Sequence, residues 1–249
     1  MVHKGSIAVV TGVGHQGDIG TAICRRLTKA GHDIFFTDWG SKGWSNTFQE
    51  ELRAFGVRCE KATIDLAQRD APARLLDAVT EKLGFPAILV NNAAYSVNDG
   101  YEQLTADLLD RHYEVNMRGT MLLSVEFAKR FEQTNLTSGR IINMTSGQAK
   151  GPMVEELAYA STKGAITAFT STLSAEIATL GITVNAVNPG PTDSGWMTDD
   201  IKTYLKPKFG FGRIGTPDDA ARLVNFLASE EAAWITGQVI DSEGGFLRN

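Results

Sequence analysis

The sequence predicts an α/β fold built on a doubly wound parallel sheet of about seven strands with helices on both faces. Short β-branched runs alternate with amphipathic stretches along the whole chain. No repeat or low-complexity linker interrupts the alternation, and a glycine-rich turn follows the first run directly. Strands are expected at Ile7 to Thr11, Ile34 to Thr37, Val57 to Ile64, Ile88 to Asn91, Arg140 to Thr145, Thr183 to Asn188 and Gln238 to Asp241. Between them, helical spacing of apolar residues predicts helices over Ile19 to Ala30, Phe48 to Phe55, Ala71 to Leu83, Leu108 to Glu132, Glu156 to Leu180 and Asp218 to Ala228. Because strand and helix alternate, the strands pair in parallel through right-handed crossovers. The least regular stretch, Asp193 to Gly215, reads as a long working loop carrying Trp196, Met197, Tyr204, Phe209 and Phe211.

Length and composition narrow the function. A chain of 249 residues with 43% hydrophobic content suits one domain, residues 1–249, whose halves 1–95 and 96–249 divide after the fourth strand. A net charge of −5, without a lysine or arginine run, argues against nucleic acid and points to small-molecule partners. Cys24 and Cys59 form no disulfide scaffold or zinc motif, and His3, His15, His32 and His112 have no metal-ligand spacing. No metal is expected. No apolar stretch is long enough for a membrane span and the start lacks a leader pattern, so a soluble, cytoplasmic protein is expected.

Three motifs carry chemistry. TGVGHQGDIG, Thr11 to Gly20, lies between the first strand and the first helix, where glycines admit a pyrophosphate and the helix N-terminus attracts it. Asp38 ends the second strand, eighteen residues beyond Gly20, where a carboxylate can accept hydrogen bonds from ribose hydroxyls and repel a 2′-phosphate. NAD(H) is therefore favoured, with NADP(H) kept open by Lys42 nearby. In YASTK, Tyr159 and Lys163 are four residues apart and share one helix face; an ammonium beside a phenol favours the phenolate and brings its titration toward neutral pH. That makes a proton donor or acceptor.

With these in order, the chain resembles the classical short-chain dehydrogenase/reductase family over nearly its whole length. The turn resembles TGxxxGxG, NNAA at Asn91 to Ala94 resembles NNAG, and Asn116 in YEVNMRG matches the family's helix asparagine. Ser146 in INMTSG, then YASTK, NPGPTDSGW, GRIGTPDD and ITGQVIDSEGG complete the set. The resemblance implies a Rossmann-type sheet of order 3-2-1-4-5-6-7 and interconversion of a secondary alcohol and a ketone. It assigns Tyr159 as general acid/base, Ser146 to the substrate oxygen, Lys163 to the nicotinamide ribose and to lowering the tyrosine pKa, and Asn116 to a water relay. Cofactor contacts are implied for Gly12, Gly14, Gly17, Asp18, Ile19, Gly20, Asp38, Asp65, Leu66, Asn92, Ala93, Ala94, Tyr159, Lys163, Pro189, Gly190, Thr192 and Ser194. A homotetramer formed through the long helices and the C-terminal strand is also implied.

The chain departs from the pattern in its turn, which is two residues longer and has Asp18 where a glycine is usual. Either Gly12 and Gly20 end the turn with His15 to Gly17 bulged outward, or Gly12, Gly14 and Gly17 act as GxGxxG. The first is favoured, with Asp18 turned away to cap the helix. A serine hydrolase is excluded by the absence of a nucleophile elbow and a histidine base around Ser146. Carrier-protein reduction with NADPH, a sugar or polyol dehydrogenase and a non-catalytic dinucleotide sensor stay open. The first is disfavoured by neutral Thr137 and Ala175, although Arg140, Lys129 and Arg130 lie close by.

Overall fold

The computed structural model describes residues 5–40 and 43–247. Seven strands form one parallel sheet: β1 (Ile7–Val10), β2 (Asp33–Asp38), β3 (Cys59–Thr63), β4 (Ile88–Asn91), β5 (Gly139–Met144), β6 (Ile182–Asn188) and β7 (Val239–Asp241). Their order is 3-2-1-4-5-6-7, as expected. Strand β1 is wholly apolar and β4 apolar up to Asn91 because both faces of the sheet are covered, and β5 and β6 are buried at every position although they carry Arg140, Asn143 and Asn185.

Helices α1 (Ile19–Lys29), α2 (Trp44–Arg53), α3 (Ala71–Lys82), α4 (Ala106–His112), α5 (Thr120–Phe131), α6 (Leu157–Glu176), α7 (Asp199–Leu205) and α8 (Pro217–Ala228) complete the fold. One core layer packs Ile23, Leu27, Phe48 and Val224 under α1, α2 and α8. The opposite layer packs Leu75, Val79, Phe127 and Leu173 under α3, α5 and α6. Cys24 and Cys59 are free and buried, and burial lifts both thiols, Cys59 to about 12. No helix of the described residues is long and apolar enough to cross a membrane.

The expected elements differ from the observed ones where tertiary contacts override local pattern. Helix α2 starts at Trp44, earlier than the apolar spacing suggested, because the Trp44 indole stacks on Phe48 with centroids 4.9 Å apart. The expected long helix from Leu108 is α4 and α5 joined by a π-helical segment, Tyr113–Gly119. Helix α6 ends at Glu176; a short 3₁₀ turn follows and Gly181, at φ +74°, redirects the chain into β6. The Asp193–Gly215 loop contains helix α7, capped by Thr198, which polar surface spacing had concealed.

Candidate functional site

The glycine turn is shaped by sterics at two of its glycines. Gly12 has φ +73°, and a Cβ there would lie 2.4 Å from the Ala93 Cα. A Cβ on Gly20 would lie 2.6 Å from the Gly12 carbonyl oxygen and 2.7 Å from Asn92 Nδ2. Neither position admits a side chain. Asn92 locks the pair by donating from Nδ2 to the Thr11 and Gly12 carbonyls at 3.0 and 2.8 Å, while Thr11 Oγ1 accepts from the Asn92 and Ala93 amides. Gly14 and Gly17 have no such constraint, and His15 to Gly17 are exposed. The outward-bulged arrangement is the observed one. Asp18 caps α1: Oδ1 accepts from the Thr21 amide at 2.6 Å, and Oδ2 accepts from the Gly14 and His15 amides at 2.6 and 3.0 Å.

A groove of about 400 Å³ runs from this turn along the carboxyl ends of β1, β2 and β4. Gly12, Gly14, Asp18, Ile19, Asp38, Asp65, Leu66, Asn92, Ala93, Ala94 and Ser194 line it. Gly17 does not: it faces a separate depression beside Arg25 and Pro217. Gly20 acts beneath the turn rather than in the groove wall. At the β2 end Asp38 is buried and accepts from the Thr63 hydroxyl at 2.6 Å, with Lys61 Nζ 3.8 Å away. That pairing with Lys61 was not foreseen, since the residue lies on β3 and only the parallel register brings it alongside. Lys42 lies outside the described residues.

The second cluster forms where β5, α6 and the π-helical segment meet. Ser146, in extended conformation just past β5, places its hydroxyl 3.9 Å from the Met153 sulfur. Tyr159 stands in the first turn of α6 and Lys163 one turn on, with Nζ 5.5 Å from the tyrosine ring centroid and donating to the Met144 carbonyl at 2.8 Å. Thr145 and Thr167 tie the strand end to this helix through Gln148 and the Lys163 carbonyl. The electrostatics differ from expectation. Burial, the charge of Glu156 and a smaller opposing bond from Ser146 leave the Tyr159 phenol pushed up to about 12, while burial lowers Lys163 to about 8. Desolvation outweighs any pull of the ammonium on the phenol.

Asn116 sits in the π-helical segment and is buried. Its Oδ1 accepts from the Tyr95 amide at 2.7 Å, and its Nδ2 donates to the Tyr95 carbonyl and to Thr162 Oγ1 at 2.8 and 3.2 Å. Both amide hydrogens are thus committed to holding the β4 loop against α6. The side chain thereby positions Tyr95 against α6.

Past β6, Gly190 at φ +63° turns the chain beneath Glu243, where a Cβ would meet Glu243 Cβ at 3.0 Å. Thr192 is buried and its hydroxyl donates to the Pro189 and Gly190 carbonyls at 3.2 Å, so the hydroxyl closes the turn. Pro189, Gly190 and Thr192 lie outside the groove lining and Ser194 within it. Of the aromatic loop, Phe209 packs on Phe246, Met197 is buried, and Trp196 donates to the Thr192 carbonyl while its ring is half exposed. Phe211 and Tyr204 face outward.

Residues 12–247 match the sequence model of the family described as Enoyl-(Acyl carrier protein) reductase. The chain belongs to the short-chain dehydrogenase/reductase family of oxidoreductases. It is 62% identical over 243 residues to the uncharacterized oxidoreductase YjdA of Bacillus subtilis strain 168, covering 97% of each chain. It is 29% identical over 247 residues to 3-oxoacyl-(acyl-carrier-protein) reductase FabG of Aquifex aeolicus, covering 98% of each. The crystal structure of a blue fluorescent protein from a metagenomic library, in complex with NADPH, superposes with a TM-score of 0.89 at 29% identity, covering 98% of both chains.

For a short-chain dehydrogenase/reductase, two features of this site escaped the sequence reading. Asp99 is buried and caps α6, accepting from the Leu157 and Ala158 amides at 2.5 and 2.9 Å. Lying far from the helix in sequence, it gave no local capping signal. Thr37 and Trp39, on either side of Asp38, and Arg111, brought in from α4 by the fold, also line the groove. Arg140, considered for a carrier protein, is instead buried on β5 and donates to the Ser138 hydroxyl and to the Gly139 and Ser229 carbonyls. Arg130 is paired with Asp77 and Glu126.

Proposed function

We infer that the protein interconverts a secondary alcohol and a ketone with a nicotinamide dinucleotide, Tyr159 exchanging the proton. The observation that carries this reading is the convergence of Ser146, Tyr159 and Lys163 at the carboxyl end of β5, in the half of the sheet next to a groove whose glycine cradle excludes side chains. Gly12, Ile19, Asp38, Asp65 and Asn92 to Ala94 would hold the dinucleotide, and Lys163 its nicotinamide ribose. When bound, the dinucleotide donates or accepts the hydride and supplies, in its oxidised form, a positive ring.

The protein's part is the proton and its placement. With its pKa near 12 the phenol is protonated at neutral pH, the form that donates to a ketone oxygen during reduction. Ser146 would donate to the same oxygen and stabilise the charge that develops there. Lys163, positive below about pH 8, would favour the phenolate left behind. Asn116 and Asp99 hold the two walls of the site in place. Carrier-protein reduction is disfavoured by the burial of Arg140 and the pairing of Arg130, while exposed Lys129 keeps that reading open.

Buried Asp38 supports NAD(H) over NADP(H), with Lys61 as the opposing charge. Changing Asp38 to Ser should cost NADH affinity about tenfold and narrow the gap to NADPH. Fluorescence titration with both dinucleotides reads this directly, and an unchanged ratio would reject the assignment. Absorbance of the reduced nicotinamide, followed with a panel of ketones and alcohols, tests the reaction. Absence of turnover across the panel would favour a dinucleotide sensor. The exposed Leu109 and Leu122 near the long helices and the exposed Trp234 before β7 support a homotetramer, which sedimentation velocity would test.

A further inference from the structure

We propose that Asp18 weakens dinucleotide binding by holding, with its own carboxylate, the backbone amides of the glycine turn that would otherwise meet the pyrophosphate. This rests on the dinucleotide reading above. Three amides converge on the one side chain: those of Gly14 and His15 donate to Oδ2 at 2.6 and 3.0 Å, and that of Thr21 donates to Oδ1 at 2.6 Å. A ring of N–H groups where a glycine-rich turn enters a helix is the arrangement that binds phosphate. Here it already holds an anion, and the anion belongs to the chain.

The enlarged turn and the acidic residue act as one feature. The bulge folds back over Asp18: the His15 carbonyl accepts from the Thr21 hydroxyl at 2.7 Å and from the Asp18 amide at 3.3 Å, and the Gly17 amide donates to His15 Nδ1 at 3.3 Å. That closure brings the His15 amide onto Oδ2, so the bulge supplies one of the three donors. Asp18 is nonetheless part of the groove wall, beside Gly14 and Ile19. Among the described residues the Ile19 amide, at the first position of α1, donates to no acceptor, and it is the one left facing the phosphates.

Charge acts in the same direction. Asp38 and Asp65 line the groove as well, and Arg111, the cation opposite them in the lining, has Glu114 3.8 Å away. A pyrophosphate entering beside Asp18 therefore loses donors and meets a like charge at short range. Glycine, usual at this position, would bring neither penalty.

Two variants test the proposal. Asp18→Ser keeps a hydroxyl to cap the Thr21 amide and frees those of Gly14 and His15, whereas Asp18→Gly frees all three at a small cost to the cap. In fluorescence titrations with NADH at low salt, both variants should bind about tenfold more tightly than the wild type. The gap should shrink to about threefold in about 0.5 M salt, where the repulsion is screened. Both variants should melt below the wild type, because the turn has lost an acceptor. Affinity and stability then move in opposite directions, whereas the loss of a carboxylate with a structural role alone would lower both. Equal or weaker NADH binding in whichever variant melts cooperatively overturns the role of Asp18 and leaves the dinucleotide groove standing. No NADH binding in the wild type or in either folded variant overturns the dinucleotide reading and the proposal together.

Discussion

The glycine turn and the face of α6 are built by opposite means. In the turn the backbone is the working part: Gly12 and Gly20 are held by contacts that a single methyl group would break, and Asn92 and Asp18 tie down the amides around them. On α6 the backbone is ordinary helix and the work lies in buried side chains whose charges are costly, Lys163 above all. The turn tolerates a two-residue enlargement because the extra chain bulges into solvent. The helix face has no such outlet, so every change there is felt as a change in charge or contact.

The largest effect is expected where chemistry and structure separate most cleanly. Tyr159→Phe removes the proton and leaves the ring, so kcat should fall about a thousandfold or more while NADH binding, read by fluorescence, stays within about twofold. Turnover near the wild-type level would reject Tyr159 as the acid. Next is the turn. Gly12→Ala should cost about 4 kcal/mol, from the left-handed backbone and from collision with Ala93, and should abolish dinucleotide binding. Gly17→Ala, where the nearest atom to a new Cβ is 3.8 Å away, should bind and melt like the wild type. Equal losses in the two variants, by calorimetry and titration, would mean that the turn works as GxGxxG after all.

That contrast also marks what could be read from the chain. The sheet and the Gly12–Gly20 frame were legible because they depend on local pattern: alternating runs, and glycine where a turn meets a helix. Lys61 beside Asp38, Asp99 beneath α6 and the π-helical segment at Asn116 were not, since each depends on register or packing between distant segments. The sequence also misled on the sign of the tyrosine shift. Spacing shows that Lys163 is near Tyr159, but whether attraction or desolvation wins depends on how much water remains, and here little does.

The last prediction measures that desolvation directly. Folding lowers the Lys163 pKa from 10.5 to about 8, so below pH 8 the folded protein carries an ammonium at a cost of roughly 3 kcal/mol. Between pH 8 and 10.5 the folded state sheds this proton while the unfolded state keeps it, and stability is recovered as pH rises. Lys163→Met removes the charge but leaves the Met144 carbonyl without this donor, so at pH 7 it should be about 2 kcal/mol more stable than the wild type yet inactive. Burial raises the pKa of Tyr159 and of both cysteines, which pulls stability the other way above about pH 9, but the groups are present in both proteins and largely cancel in the difference. Chemical denaturation of both proteins from pH 6 to 10 should therefore show a gap in unfolding free energy that narrows above pH 8. A gap that stays constant would show that Lys163 is not carried into the core as a charge, and the α6 face would then be held, like the turn, by shape alone.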